Sequence, residues 1–164
     1  MLSTAVQDAI NEQIKNEVYS AYLYLSMSAH FAGNNLPGFA NWVRVQFQEE
    51  MGHALKLYDY VNERGGRVNL EAIPQPTTEW KTSLEVFNQV YEHEKHVTAL
   101  IYKLYEVAVA EKDYATQVML QWFINEQVEE EKNASEIVEN LKLIDAKGTA
   151  VLMLDHQLSK RGKG

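Results

Sequence analysis

A triplet of positions occurs twice in this chain, offset by 77 residues: Glu17, Glu50 and His53, and then Glu94, Gln127 and Glu130. In each copy 33 residues separate the first member from the second, and 3 separate the second from the third. A spacing of 3 puts two side chains on one helical face, and the spacing of 33 ties that pair to a single acid on the preceding helix. Two helical hairpins that each aim such a triplet at a shared interior would build a site for two metal ions. Glu49 and Glu126 obey the same offset. The repeat is chemical rather than textual, because the residues around the matched positions differ freely.

Four long helical patterns and a short fifth run along the chain, with only 3 prolines and 8 glycines, nearly all between them. Ser3 reads as the N-cap of a first helix reaching about Phe31, and Gly33 to Gly38 form the turn into a second helix that ends near Arg64. The stretch from Gly65 to about Thr82, with Pro74 and Pro76, holds no helical period and is a long connection. A third helix runs to about Lys112, and a fourth follows the break at Asp113 and continues to about Ala146. The bundle thus covers 3–146, and a fifth helix covers 149–160. At ~3.3 Å per residue, the long connection can span a helix of ~42 Å, so the second and third helices can lie parallel. The fold class is all-α: a four-helix bundle with one long crossover between helices 2 and 3, the connectivity of ferritin-like folds, and a short fifth helix.

With 164 residues and 46% apolar content, a single domain with a sizeable core is expected. The absence of cysteine excludes disulfides and thiolate-bound metals, and it fits a reducing cytoplasm. No export signal and no long apolar run are present, so neither secretion nor membrane spanning is expected. A net charge of −8 disfavours nucleic acid and favours attraction of cations.

The apolar stripes place the candidate site. They read Ile10, Ile14, Glu17, Ala21, Tyr24; Val43, Phe47, Glu50, Ala54, Leu57; Phe87, Val90, Glu94, Val97, Ile101; and Leu120, Phe123, Gln127, Glu130, Ala134, Ile137. Each stripe is interrupted by polar residues near mid-helix, so these residues share one layer of the bundle. Burying several unpaired carboxylates is costly unless a cation neutralises them. One imidazole among carboxylates suits iron or manganese better than copper(I) or structural zinc. In the expected layout Glu50 bridges two ions roughly 3.5 to 4 Å apart, Glu17 and His53 completing one site and Glu94 and Glu130 the other. Gln127 stands where a more symmetric site would carry a carboxylate, so the second ion is expected to be held less tightly.

The segments EEMGH at Glu49 to His53, YEHEKH around Glu94, and INEQVEEEK at Ile124 to Lys132, with Glu17 on the first helix, resemble the bacterial non-haem ferritins over essentially the whole chain. The resemblance implies a homo-oligomeric hollow cage of twenty-four subunits. Such a cage oxidises Fe(II) with dioxygen or hydrogen peroxide at an intra-subunit di-iron centre and stores ferric mineral inside. It implies a first iron site of Glu17, Glu50 and His53, and a second of Glu50, Glu94 and Glu130 with Gln127 beside it. It further implies a third site of Glu49, Glu126, Glu129 and Glu130 toward the cavity, and a role near the centre for Tyr24 as electron or hydrogen-bond donor. Trp122 is expected to pack near the site, and His93, His96 and His156 to lie at the surface or at subunit contacts.

Met51 sits in the E-M-x-H context that haem-binding bacterioferritins use, but those carry a second E-x-x-H where this chain has Gln127-x-x-Glu130, so no haem is expected. The fifth helix, with Ala150 to Leu154 and Leu158, is too short to stand alone and too apolar for water, so it must dock on its own bundle or on other subunits. In ferritins it lines a symmetry axis. The alternatives are a rubrerythrin-like peroxidase or another di-metal oxidase that keeps its metals, a haem-containing bacterioferritin, and a structural bundle without metal.

Overall fold

The computed structural model describes residues 1–145 and 148–163. Five helices are found among them: α1 (Thr4–Gly33), α2 (Pro37–Glu63), α3 (Ser83–Ala110), α4 (Tyr114–Leu143) and α5 (Gly148–Leu158). The starts of α1, α3 and α4 follow from side-chain acceptors. Ser3 Oγ accepts from the Val6 amide at 3.3 Å, Thr82 Oγ1 from Glu85 at 3.1 Å, and Asp113 Oδ1 from Thr116 at 3.0 Å. Each cap satisfies an N–H that has no partner inside the helix. By contrast, α2 begins on a proline and has no side-chain cap from its own N-cap residue. Its acceptor comes from α5, where Asp155 Oδ1 takes the Phe39 amide at 2.8 Å. The approach is so close that a Cβ on Gly38 would lie 1.6 Å from the Asp155 carbonyl oxygen.

The four long helices end alike. Asn35, Gly65, Lys112 and Asp145 stand just beyond them with φ of 58°, 71°, 54° and 52°. The amides of Leu36, Gly66 and Asp113 then reach back to the carbonyls of Phe31, Val61 and Ala108 at 3.0, 2.9 and 2.9 Å. This left-handed cap is ordinary for glycine and costs a residue with a side chain about 1–2 kcal/mol. Three of the four caps lack glycine, which moves the observed ends from the expected ones. Helix α3 stops at Ala110 rather than near Lys112, and α4 stops at Leu143 rather than near Ala146, which lies outside the described residues. Helix α1 runs on to Gly33, and α5 covers Gly148–Leu158 rather than 149–160.

The crossover is fastened along α1. The Arg67 amide donates to Gln7 Oε1 at 2.8 Å, the Asn11 side chain pairs with the Arg67 carbonyl and the Asn69 amide at 3.0 Å each, and Ser26 Oγ donates to the Thr77 carbonyl at 2.6 Å. The partners climb α1 from its first turns toward its last, ending where Trp80 meets His30 with ring centroids 5.1 Å apart. This path carries the chain from the end of α2 back to the level where α2 began, so α2 and α3 run parallel and each hairpin is antiparallel.

The apolar core lies in two clusters. One holds Met27, Phe31, Phe39, Trp42, Phe87 and Ile137 among others; the other holds Ile10, Ile14, Leu57, Ile101, Leu120 and Phe123. The polar mid-helix residues separate them. Helix α5 buries Val151, Leu154 and Asp155 against the bundle and leaves Leu152 and Met153 60% and 69% exposed. It therefore docks on its own bundle with one face and keeps the other free. Among the described residues no helix is long and apolar enough to cross a membrane.

Candidate metal centre

Glu17 comes from α1, Glu50 and His53 from adjacent turns of α2, Glu94 from α3, and Gln127 and Glu130 from α4; none is more than 5% exposed. Their ligand atoms gather in three triads that share corners: Glu17, Glu50 and His53; Glu50, Glu94 and Glu130; and His53, Glu126 and Glu130, each within 4.8 Å. Glu50 belongs to the first two. His53 Nδ1 lies 3.3 Å from Glu50 Oε2 and 3.8 Å from Glu17 Oε2. Among the described residues, Glu17 Oε2 is the one buried side-chain polar atom without a hydrogen-bond partner. An unsatisfied carboxylate oxygen beside an imidazole nitrogen and a second carboxylate fits a cation, which would remove the cost of burying it.

The other lone pairs are held by amides and hydroxyls. Gln13 Nε2 donates to Glu17 Oε1 at 2.8 Å. Gln46 Nε2 donates to both Glu50 Oε1 and Glu130 Oε2, each at 2.8 Å. Tyr24 donates its hydroxyl to Glu94 Oε1. Gln127 Nε2 turns toward Glu94 Oε2 at 3.2 Å and Thr98 Oγ1 at 3.1 Å, so its donor end supports the Glu94 carboxylate. Gln13 and Gln46 are not among the residues singled out from sequence, yet a signal for them exists. Each stands four residues before a layer glutamate, a spacing at which a glutamine amide can reach a carboxylate along the helix.

Crowding of carboxylates in a dry interior raises their pKa values. Burial drives Glu50 well above the ordinary range, with the Glu94 charge adding to it. Burial, and then the charge on Glu130, lift Glu94 to about 8. Burial outweighs the Gln46 hydrogen bond and takes Glu130 to about 7. For His53 burial works downward, but the adjoining Glu17 and Glu50 carboxylates outweigh it and raise the imidazole to about 11. At neutral pH the layer therefore holds protons in place of metal charge.

Two of the four carboxylates expected in the outer group, those of Glu126 and Glu130, come together. Glu126 joins His53 and Glu130, with His53 Nε2 4.0 Å from Glu126 Oε1. Glu129 is exposed and belongs to none of the triads, because its place on α4 points it out of the bundle. Glu49 is drawn to Arg161 Nη2 at 2.7 Å instead. Trp122 packs edge-on against His53 at 5.4 Å beneath the Lys56 ammonium, 4.0 Å from the ring centroid. Met51 is half-buried. His93 is half-buried: its Nε2 lies 2.7 Å from Ser20 Oγ, its ring meets Tyr24 edge-on at 5.9 Å, and burial with His96 nearby lowers its pKa to about 4.

A four-helix bundle with one long crossover and a buried layer of carboxylates around an imidazole defines the class of metal-carboxylate bundle proteins. Comparison with known proteins narrows the class. The family model of the ferritin-like domain matches residues 7–144. A bacterial non-heme ferritin of Bacteroides fragilis is 47% identical over 161 residues, covering 98% of this chain and 100% of the relative. One from Campylobacter jejuni is 40% identical over 158 residues, 96% of this chain and 95% of the relative. The crystal structure of an open-pore ferritin from the archaeon Archaeoglobus fulgidus superposes with a TM-score of 0.96 at 52% identity, over 98% of each chain. This chain belongs to the ferritin family.

Proposed function

We propose that this ferritin stores iron by oxidising Fe(II) at the buried layer and passing the ferric product to a mineral enclosed by its own assembled subunits. Iron storage follows from the family. The observation that carries the oxidation step is the pair of triads sharing Glu50. Two cations could be held side by side, one by Glu17 and His53, the other by Glu94 and Glu130, with Glu50 between them. Iron is here substrate and cargo; when bound as a pair it supplies the electrons that reduce dioxygen or hydrogen peroxide.

The chain's own residues set the conditions for that chemistry. Gln13, Gln46 and Gln127 fix the orientation of the carboxylates before a cation arrives, so little is lost in organising them. Glu94 and His53 release their protons as a divalent cation takes their place, which keeps the charge of the layer nearly constant. Tyr24, bonded to Glu94, is suited to give a hydrogen bond or an electron to the second position. Glu126 with Glu130 and His53 offers the next stop for a departing ion, and Glu49 and Glu129 extend the acidic path beyond it.

Assembly into a twenty-four-subunit cage is supported by the family and by apolar side chains left on outer faces, among them Val118 at 67% and Met153 at 69% exposure. A protein without haem is supported by Gln127-x-x-Glu130 standing where bacterioferritins repeat E-x-x-H. A cytoplasmic setting is supported by the family and by the absence of cysteine.

Aerobic addition of many Fe(II) ions per subunit to metal-free protein tests the function, with ferric absorbance followed and iron counted in particles recovered by size exclusion. Fast oxidation with far more than three soluble irons per subunit in a large particle is expected. Uptake that stops at about two would make the chain a di-metal oxidase or peroxidase instead.

A further inference from the structure

After α5 the chain folds back across α2, where Asn41 Nδ2 donates to the carbonyls of Ser159 at 3.3 Å and Arg161 at 3.1 Å. This brings the Arg161 guanidinium over the Trp42 ring, 4.1 Å from its centroid. Arg161 Nη1 donates to the Trp42 carbonyl at 3.1 Å. Nη2 donates to Gln46 Oε1 at 2.8 Å and to Glu49 Oε2 at 2.7 Å. Gln46 is 1% exposed, and its Nε2 is the donor shared by Glu50 and Glu130. With Oε1 claimed by the guanidinium, the amide can present only N–H to those carboxylates. A single arginine thus holds Glu49 directly and reaches two carboxylates of the layer through one amide.

We propose that Arg161 is the resident counter-cation of the outer acidic site: it occupies Glu49 until a divalent cation arrives, and that cation must displace it. The proposal rests on the reading of Glu49, Glu126, Glu129 and Glu130 as a third cation site, in which Glu49 joins the Glu126 and Glu130 carboxylates once a cation draws it from the guanidinium. The same pairing explains why Glu49 stands outside the assembled triads, since its carboxylate is turned to the guanidinium. Arg161 is also a positioning residue for Glu50 and Glu130, acting through Gln46. An outer cation in competition with a built-in positive charge is held weakly, which favours its onward passage over its retention.

The test is anaerobic titration with Zn(II), which is redox-inert and takes nitrogen and oxygen ligands, of metal-free wild type, Arg161→Ala, Glu49→Gln and the double variant. Calorimetry and metal counting per subunit are the readouts. Wild type is expected to show two strong steps and a weaker third. Arg161→Ala should tighten that third step by about fivefold, the scale of an exposed ion pair removed from competition, and should have no effect on it in the Glu49→Gln background. Arg161→Gln carries the same expectation if alanine disturbs assembly. A third step equal in wild type and the arginine variants, or a tightening that persists without the Glu49 charge, would overturn the counter-cation role alone. Wild type that binds only two Zn(II) per subunit would overturn the third-site reading along with it.

Discussion

The hairpin α1–α2 and the hairpin α3–α4 carry the same ligand spacing but hold their ligands by different means. In the first, a glutamine stands four residues before each layer glutamate, Gln13 before Glu17 and Gln46 before Glu50, and each donates at 2.8 Å. The matching positions of the second hairpin are Val90 and Phe123, both apolar and buried. Its carboxylates lean on the first hairpin: Glu94 is held by Tyr24 of α1 as well as by Gln127 of its own hairpin, and Glu130 by Gln46 of α2. One half therefore supports itself and much of its neighbour. Repetition of the spacing does not require repetition of the groups that orient the carboxylates, so the two proposed metal positions would differ in affinity while looking alike in outline.

The sharpest way to break the comparison is to remove the ligand both halves share. Glu50→Ala is expected to slow initial Fe(II) oxidation on the order of 100-fold, measured by stopped-flow absorbance. Glu94→Ala and His53→Ala should each cripple one half with the particle size unchanged. Oxidation kinetics equal to wild type in all three would sink the assignment of the layer.

Removal of the orienting amides comes next. Gln46→Leu should weaken anaerobic Zn(II) binding by about tenfold, and Gln13→Leu by less, because Gln46 serves a carboxylate in each half and Gln13 only one. Equal effects would mean that the halves are supported independently.

A third expectation concerns pH in the metal-free protein. Glu94 and Glu130, at about 8 and about 7 when folded, both exceed the unfolded carboxylate value of about 4.3. The folded state thus binds more protons between those limits, and stability falls as pH rises through that window. His53, raised to about 11 from about 6.5 unfolded, continues the decline at higher pH. Thermal unfolding of chelator-treated protein at pH 5.5, 7 and 8.5 should show a falling Tm, and Zn(II) should reverse the order of the series. A flat or rising Tm without metal would show that the layer is not protonated as described.

The smallest effect lies outside the layer. Lys112→Gly, which relieves a side chain held at φ 54°, should stabilise the second hairpin by about 1 kcal/mol in denaturant unfolding. Loss of stability would mean that the lysine side chain contributes more than its backbone conformation costs.

The helices and the polar layer were legible because both depend on periodicity: an apolar stripe interrupted at one depth is visible in any four-residue neighbourhood. Helix ends were less so, since Asn35, Lys112 and Asp145 take the left-handed cap that the sequence signals only at Gly65. Gln13 and Gln46 read as ordinary polar residues until their carboxylate partners are in place. Arg161 stands more than a hundred residues from Glu49 and Gln46, and no local pattern announces a contact at that separation. His93 differs again: its neighbours Ser20 and Tyr24 lie on another helix, so its partial burial depends on how α1 and α3 pack rather than on its own surroundings in the chain.

The layer that gathers the ligands also divides the apolar core into two clusters, and this shapes how the chain holds together in time. Each end of the bundle closes chiefly by hydrophobic burial, whereas the middle must bury carboxylates, whose desolvation is costly. Without metal, this waist is expected to open at lower free energy than either end, although the four long helices run through it unbroken. Cations held there would stabilise the waist by mass action, so the cargo would also strengthen the weakest part of its container.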